Sequence, residues 1–177
     1  MPSLVLVGLP GSGKSTVGRS LGRRLTVPFH DSDHALEQRI GCSIREFFER
    51  EGETRFRDLE HEVLADLVAP GEPRVIATGG GAVLREENRR QLRAGGQVVY
   101  LRSTPEELYR RLRHDRVRPL LQVADPLDKL RAMYTERDPL YRDAAHFVIE
   151  TGRPSVPSLV NMIVMQLELA GLLPDAP

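Results

Sequence analysis

The sequence predicts an α/β fold in three layers, a parallel sheet with helices on both faces, and two observations carry that prediction. Short apolar runs bounded by glycine or proline alternate with longer segments of helical periodicity. The first run, Ser3 to Val7, passes through a glycine-rich loop directly into a helical pattern. It is too short for a helix, and unbroken apolarity marks a strand buried on both faces. From Lys14 to Leu25 the apolar residues Val17, Leu21 and Leu25 recur at helical spacing, while Arg19, Arg23 and Arg24 face elsewhere. Further strands are expected at Arg74 to Thr78, Gln97 to Leu101 and His146 to Glu150, and helices at Thr54 to Val68, Arg85 to Arg93 and Pro105 to Arg113. Helices between strands are the crossovers that parallel pairing requires. Pro70, Gly71 and Pro73 read as a turn, not a domain boundary, and no internal repeat is visible.

The chain has 177 residues, 40% of them hydrophobic, which suits one domain spanning residues 1–177 with one core. Its 25 basic and 25 acidic residues balance, which argues against a general nucleic-acid or membrane-surface binder. The lone cysteine, Cys42, and the lack of a basic, then apolar, N-terminal leader point to a reducing cytoplasm and to a monomer acting on a small molecule. The lightly charged stretch Pro154 to Leu173 contains Asn161, Gln166 and Glu168, so it reads as a packed C-terminal helix, with Met162 and Met165 as core filler. His30 and His34 lack further nearby ligands and are not read as a zinc pair.

Gly8-Leu9-Pro10-Gly11-Ser12-Gly13-Lys14-Ser15 fits G-x-x-x-x-G-K-[ST], in the strand-loop-helix context that its mechanism needs. Glycines let the backbone curl until N–H groups point at phosphate oxygens, and the helix N-terminus adds positive potential. Lys14 would reach the β- and γ-phosphates of ATP, and the Ser15 hydroxyl would meet Mg²⁺. A guanine-reading N-K-x-D motif is missing, because neither asparagine, Asn88 or Asn161, is followed by lysine. A motor ATPase would need more chain, so a small kinase fits best.

Three further groups bear on the acceptor. Asp31 and Asp33 follow a short extended run, where alternation would turn both carboxylates to one side. One would hold the water shell of Mg²⁺ and the other would accept a hydrogen bond from an attacking hydroxyl, unless they serve as caps for a helix starting near His34. Gly79-Gly80-Gly81 follows an apolar strand at the carboxyl end, where ligands sit in such sheets. Arg57 and Arg137 are candidates for bidentate binding of a carboxylate.

Taken together, G-L-P-G-S-G-K-S-T ending at Thr16, D-S-D, F-R within E-T-R-F-R-D-L-E, G-G-G, R-P-L-L at Arg118 to Leu121 and R-D-P-L-Y at Arg137 to Tyr141 resemble the shikimate kinases in order and spacing, from Leu4 to about Arg153. That resemblance implies a P-loop kinase fold with a five-stranded parallel sheet and a mobile lid, and transfer of a phosphoryl group from ATP to the 3-hydroxyl of shikimate on the route to aromatic amino acids. It also implies that Gly11, Ser12, Gly13, Lys14, Ser15 and Thr16 hold the nucleotide, with Asp31 joining Ser15 at Mg²⁺. Asp33 would bind the acceptor hydroxyls. Arg57, Arg137 and the backbone of Gly79, Gly80 and Gly81 would hold the ring carboxylate and neighbouring groups. Arg118 would swing in with a lid at about residues 112–124 to join Lys14 in catalysis, and Arg153 would lie against the adenine. Arg116 is read as part of a charged turn in that lid. Two alternatives stand beside this reading: a related kinase such as a gluconate kinase, and a nucleotide-dependent regulatory module without turnover.

Overall fold

The computed structural model describes residues 1–113, 123–152 and 155–174. Five strands, β1 (Leu4–Val7), β2 (Phe29–Asp31), β3 (Val75–Ala77), β4 (Gln97–Arg102) and β5 (Phe147–Glu150), form one sheet in the order β2-β3-β1-β4-β5. Every pairing is parallel, with Val5 opposite Ile76 on one side and Val98 on the other. The helices are α1 (Lys14–Leu25), α2 (Ser32–Ile40), α3 (Ile44–Glu51), α4 (Glu53–Leu67), α5 (Glu86–Gly95), α6 (Pro105–Leu112), α7 (Pro126–Ala144) and α8 (Val156–Leu169).

Strand β1 occupies the middle of the sheet, and its four residues are wholly buried. Strand alternation sends Val5 and Val7 to one face, where they pack with residues of α4, α5 and α7 such as Leu64, Leu92 and Tyr141. Leu4 and Leu6 go to the other face, against Val17 and Leu21 of α1 and Leu159, Ile163 and Leu167 of α8. Burial of a Val or Leu side chain is worth roughly 1.5–3 kcal/mol, so β1 is held from both layers at once. The three-layer architecture expected from the sequence is therefore the one observed.

The differences are local. Neither α3 nor α7 is foreseen from the sequence. Gly41 reads as a helix break and does cap α2 in the left-handed region, but Ser43 then starts a two-turn helix, which ends at Gly52, by accepting from the Glu46 N–H. In α7, Pro139 lies inside a helix of 19 residues, where its ring normally ends one. The α2 helix begins at Ser32, so Asp33 lies in its first turn and not on the strand; only Asp31 closes β2. Met162 and Met165 are exposed on α8, contrary to their reading as core filler, because Leu159, Val160, Ile163, Val164 and Leu167 already fill the face toward the sheet. Among the described residues no helix is long and apolar enough to cross a membrane.

Helix α1 ends on Thr26, a β-branched residue in the left-handed region at φ 57°. That conformation costs a β-branched residue about 1–2 kcal/mol relative to glycine. Replacing the exposed Thr26 by Gly should raise stability by about 0.5–1 kcal/mol after the greater unfolded-state freedom of glycine is subtracted. Urea unfolding of the two proteins measures it, and a destabilised Thr26→Gly variant would show that the threonine side chain supports the cap.

Candidate active site

The loop after β1 is built to leave donors unmet. Gly8, Gly11 and Gly13 all adopt positive φ, and Gly13, at the N-cap of α1, offers no side chain to the first helical amides. The buried Ser12 hydroxyl likewise has no partner. The Lys14 ammonium is turned back into the loop, 2.7 Å from the Gly8 carbonyl oxygen and 2.9 Å from that of Leu9. An anion with several oxygens satisfies these groups together, which is what a nucleotide triphosphate supplies.

Asp31 joins this loop to the next strand. Its Oδ2 accepts from the Ser15 hydroxyl at 2.7 Å, and its Oδ1 accepts from the amides of Asp33 and His34 at 3.0 and 3.2 Å. Asp31 is thus a helix cap, as one of the two sequence readings expected, and a hydrogen-bonded neighbour of Ser15 at once. Ser15 Oγ with Asp31 Oδ2 is a hard-oxygen pair beside a phosphate loop, a donor set that suits Mg²⁺, which completes its shell with phosphate oxygens and water.

Asp33 projects from the first turn of α2 into the same cleft. Burial, then the neighbouring carboxylates of Asp31 and Glu60, push its carboxyl up to about 6, and Lys14 offsets part of that. The cleft encloses about 500 Å³ between the phosphate loop, Asp31, Asp33, Gly79, Gly80 and the Arg111–Leu112 end of α6.

The glycine triplet after β3 is where the remaining groups meet. A Cβ on Gly79 would stand 2.6 Å from Asp33 Oδ1, one on Gly80 2.8 Å from Pro10 Cδ and 3.4 Å from Arg137 Nη1, and one on Gly81 2.7 Å from Arg57 Cζ. The triplet therefore admits the close approach of three candidate functional side chains, Asp33, Arg57 and Arg137, and of Pro10. Ser32 Oγ accepts from the Gly79 amide at 3.1 Å, tying the triplet to the start of α2. Arg57 on α4 pairs with buried Glu60 one turn on, at 2.8 Å, its Nε lies 3.7 Å from Glu53 Oε1, and both Arg57 Nε and Arg137 Nε are buried without hydrogen-bond partners.

Lys14, Ser15, Asp31, Asp33, Gly79 and Gly80 thus line one cleft, and Arg57 and Arg137 stand against Gly81 and Gly80 beside it. Arg116, Arg118 and Arg153, with most of the expected lid, lie outside the described residues. Sequence reading missed Glu60, Arg111 and Tyr141. Glu60 stands three residues after Arg57 and Tyr141 four after Arg137, spacings that a helix turns to one face, so recognising α7 was the missing step for the tyrosine. Arg111 gives no such signal: it is placed by hydrogen bonds to the Thr151 carbonyl and hydroxyl across the sheet edge.

The family model described as shikimate kinase matches residues 10–168. The chain belongs to the shikimate kinase family. The shikimate kinase of Paracidovorax citrulli is 62% identical over 177 residues, 99% of this chain and 97% of that one, and that of Burkholderia thailandensis is 58% identical over 170 residues, 96% of this chain and 92% of its relative. Among solved structures, shikimate kinase from Acinetobacter baumannii in complex with shikimate superposes with a TM-score of 0.89 at 44% identity, covering 98% of this chain and 96% of that one. A gluconokinase from Sinorhizobium meliloti shares the fold, with a TM-score of 0.63 at 20% identity over 96% of this chain and 95% of its own. The gluconate alternative therefore retains the architecture alone, while the shikimate kinase family is matched over residues 10–168.

Within this shikimate kinase scaffold, Gly79 is the tightest test of the geometry. Gly79→Ala should push the Asp33 carboxylate out of place and lower kcat by about 100-fold, as misplacement by about 1 Å does elsewhere, with nucleotide affinity within about threefold. Steady-state kinetics with calorimetric nucleotide titration measures both; retained turnover would show that Asp33 has room to adapt.

Proposed function

We propose that the chain transfers the γ-phosphoryl group of ATP to the 3-hydroxyl of shikimate in the cytoplasm, as a step of aromatic amino acid biosynthesis. One observation carries the reading: a desolvated aspartate beside the phosphate loop shares a glycine wall with two half-buried arginines, so a hydroxyl and a carboxylate on one small molecule are both provided for. The family membership supports the same acceptor.

In the proposed mechanism the loop amides and Lys14 fix the triphosphate, and Lys14 stabilises charge as it spreads over the transferring group. Bound Mg²⁺, held by Ser15 and by Asp31 directly or through water, supplies further positive charge at the phosphate oxygens. Arg57 and Arg137 hold the ring carboxylate, which sets the distance of the 3-hydroxyl from the phosphate loop. Glu60 orients Arg57 through their ion pair. Asp33 accepts the hydrogen bond of the 3-hydroxyl and aligns its lone pair. In a loose transition state the hydroxyl keeps its proton until late, so orientation matters more than base strength. Arg118 and Arg153 keep the roles that the resemblance implies, closing over the phosphates and lying against the adenine.

Zero formal charge and a single free cysteine, Cys42, accord with a cytoplasmic chain whose partner is a small molecule and not nucleic acid. A monomer is the proposed state, and light scattering should give 19.9 kDa with and without ligands; a dimer mass would refute it.

A coupled assay of ADP release should show turnover with shikimate and not with gluconate, a nucleoside monophosphate or water. Turnover on gluconate alone would leave the phosphotransfer reading intact and remove the acceptor, and binding of ATP without turnover on any acceptor would favour a regulatory module.

Asp33 gives an independent check, because its carboxyl titrates near 6 in the folded chain against 3.8 ordinarily. Below the ordinary value the group is protonated folded or unfolded and costs nothing. Between 3.8 and 6 the unfolded chain ionises this group while the fold still keeps it protonated, so stability falls across that range, a loss of up to about 3 kcal/mol that is complete above 6. Asp33→Asn should therefore abolish turnover yet raise the ligand-free, chelator-treated protein's stability at pH 8, with little change at pH 4. Chemical denaturation at the two pH values measures this, and an equal effect at both would place the carboxylate in water.

A further inference from the structure

The glycine triplet is held from behind by one tyrosine. Tyr141 of α7 is fully buried, with its ring centroid 5.0 Å from that of Tyr100 on β4, and its hydroxyl donates to the Gly80 carbonyl at 2.6 Å. A trans peptide points its C=O and N–H in opposite directions. Fixing the Gly80 carbonyl toward Tyr141 therefore fixes the Gly81 N–H on the far side of that plane. The carbonyls on either side are used by turn hydrogen bonds, Ala82 N–H to Gly79 O at 3.1 Å and Leu84 N–H to Gly81 O at 3.2 Å. Among the described residues neither the Gly80 nor the Gly81 amide has a protein acceptor, although Gly81 is buried. A buried donor without a partner is costly, and a turn of glycines is free to rotate its peptide plane and relieve it. The Tyr141 hydrogen bond opposes that rotation.

The same hydroxyl also touches the arginine clamp. Arg137 lies against it, and the guanidinium charge pulls the phenol down against the burial that raises it to about 12. The hydroxyl thus stays a donor at any pH near neutrality. The turn of α7 that carries both residues is short of one helical hydrogen bond, since Pro139 has no N–H. It is braced from the side instead: the Tyr100 hydroxyl donates to Asp138 Oδ1 at 2.7 Å, and Arg142 donates to Asp138 Oδ2 at 3.0 Å.

From this geometry we infer that Tyr141 is a positioning residue for the acceptor's carboxylate. Its hydroxyl locks the Gly80–Gly81 peptide plane and the Arg137 guanidinium in one arrangement, so that amide and guanidinium donors converge on one anion. The inference rests on the acceptor reading given above and deepens it, because no residue that merely filled the core would need the hydroxyl.

Tyr141→Phe keeps the ring packing and removes only the hydrogen bond. Its kinetics should be compared with wild type on shikimate and on the neutral analogue that bears a hydroxymethyl group in place of the carboxylate. The expected result is a rise of about tenfold in KM for shikimate, with KM for ATP within about twofold and kcat within about threefold, the pattern of lost uniform binding. On the neutral analogue the substitution should change kcat/KM by less than about twofold, since the anion that the hydroxyl serves is gone. Unchanged KM for shikimate, or an equal loss on both acceptors, would overturn the inference. Should the Phe variant fold poorly, amide NMR of the wild-type protein decides instead: the Gly80 and Gly81 proton signals should shift on adding shikimate and not on adding the neutral analogue, and neither moving would overturn it. Failure of wild type to phosphorylate shikimate at all is a separate outcome that removes the acceptor reading itself.

Discussion

The arrangement depends on a strand that has no face toward water. With neighbours on both edges and helices on both faces, Leu4–Val7 has one direction and one register, and the chain leaves it at a fixed point on the carboxyl edge of the sheet. What leaves is a loop whose buried Ser12 hydroxyl has no hydrogen-bond partner in the protein and whose helix-starting amides have no side-chain cap. A flexible strand would let that loop close on itself; a strand packed in two layers keeps it open, and the cost of the unmet groups is carried by the core beneath it.

Around that loop the molecule concentrates charge where water is scarce. Asp33 is pushed toward neutrality, Glu60 is raised by burial despite its pairing with Arg57, and two arginines keep buried nitrogens without hydrogen-bond partners. Each of these is unfavourable in the fold by itself, and in the proposed function the acceptor's hydroxyl would meet Asp33 and its carboxylate the two arginines. Binding energy and local instability are two views of one design, the usual exchange between stability and activity. Gly79, Gly80 and Gly81 make it possible, since any side chain there would displace Asp33, Pro10 or Arg57.

Much of this was legible beforehand. Apolar runs located four of the five strands, the second was read as an extended run that carried Asp33 as well as Asp31, and the phosphate loop named its own ligand through its spacing and its strand-to-helix setting. Where the reading went astray, local rules lost to packing. Pro139 sits inside α7 because lateral bonds from Tyr100 and to Gly80 replace the missing helical one, and Asp31 serves as cap and as Ser15's partner because a carboxylate has two oxygens. Met162 and Met165 face outward because the inward face of α8 was already full.

The sequence by itself determined the layer architecture, the phosphate loop and the residue types of the acceptor site, because periodicity and motif spacing are properties of neighbours along the chain. Only the tertiary structure decided that Tyr141 grips the glycine turn and that Glu60 and Asp33 are desolvated beside it. Those facts depend on α4, α7 and the edge of the sheet meeting across 61 or more residues of chain in the case of Tyr141 and Gly80. Burial and the electrostatics that follow from it exist only once the layers have closed.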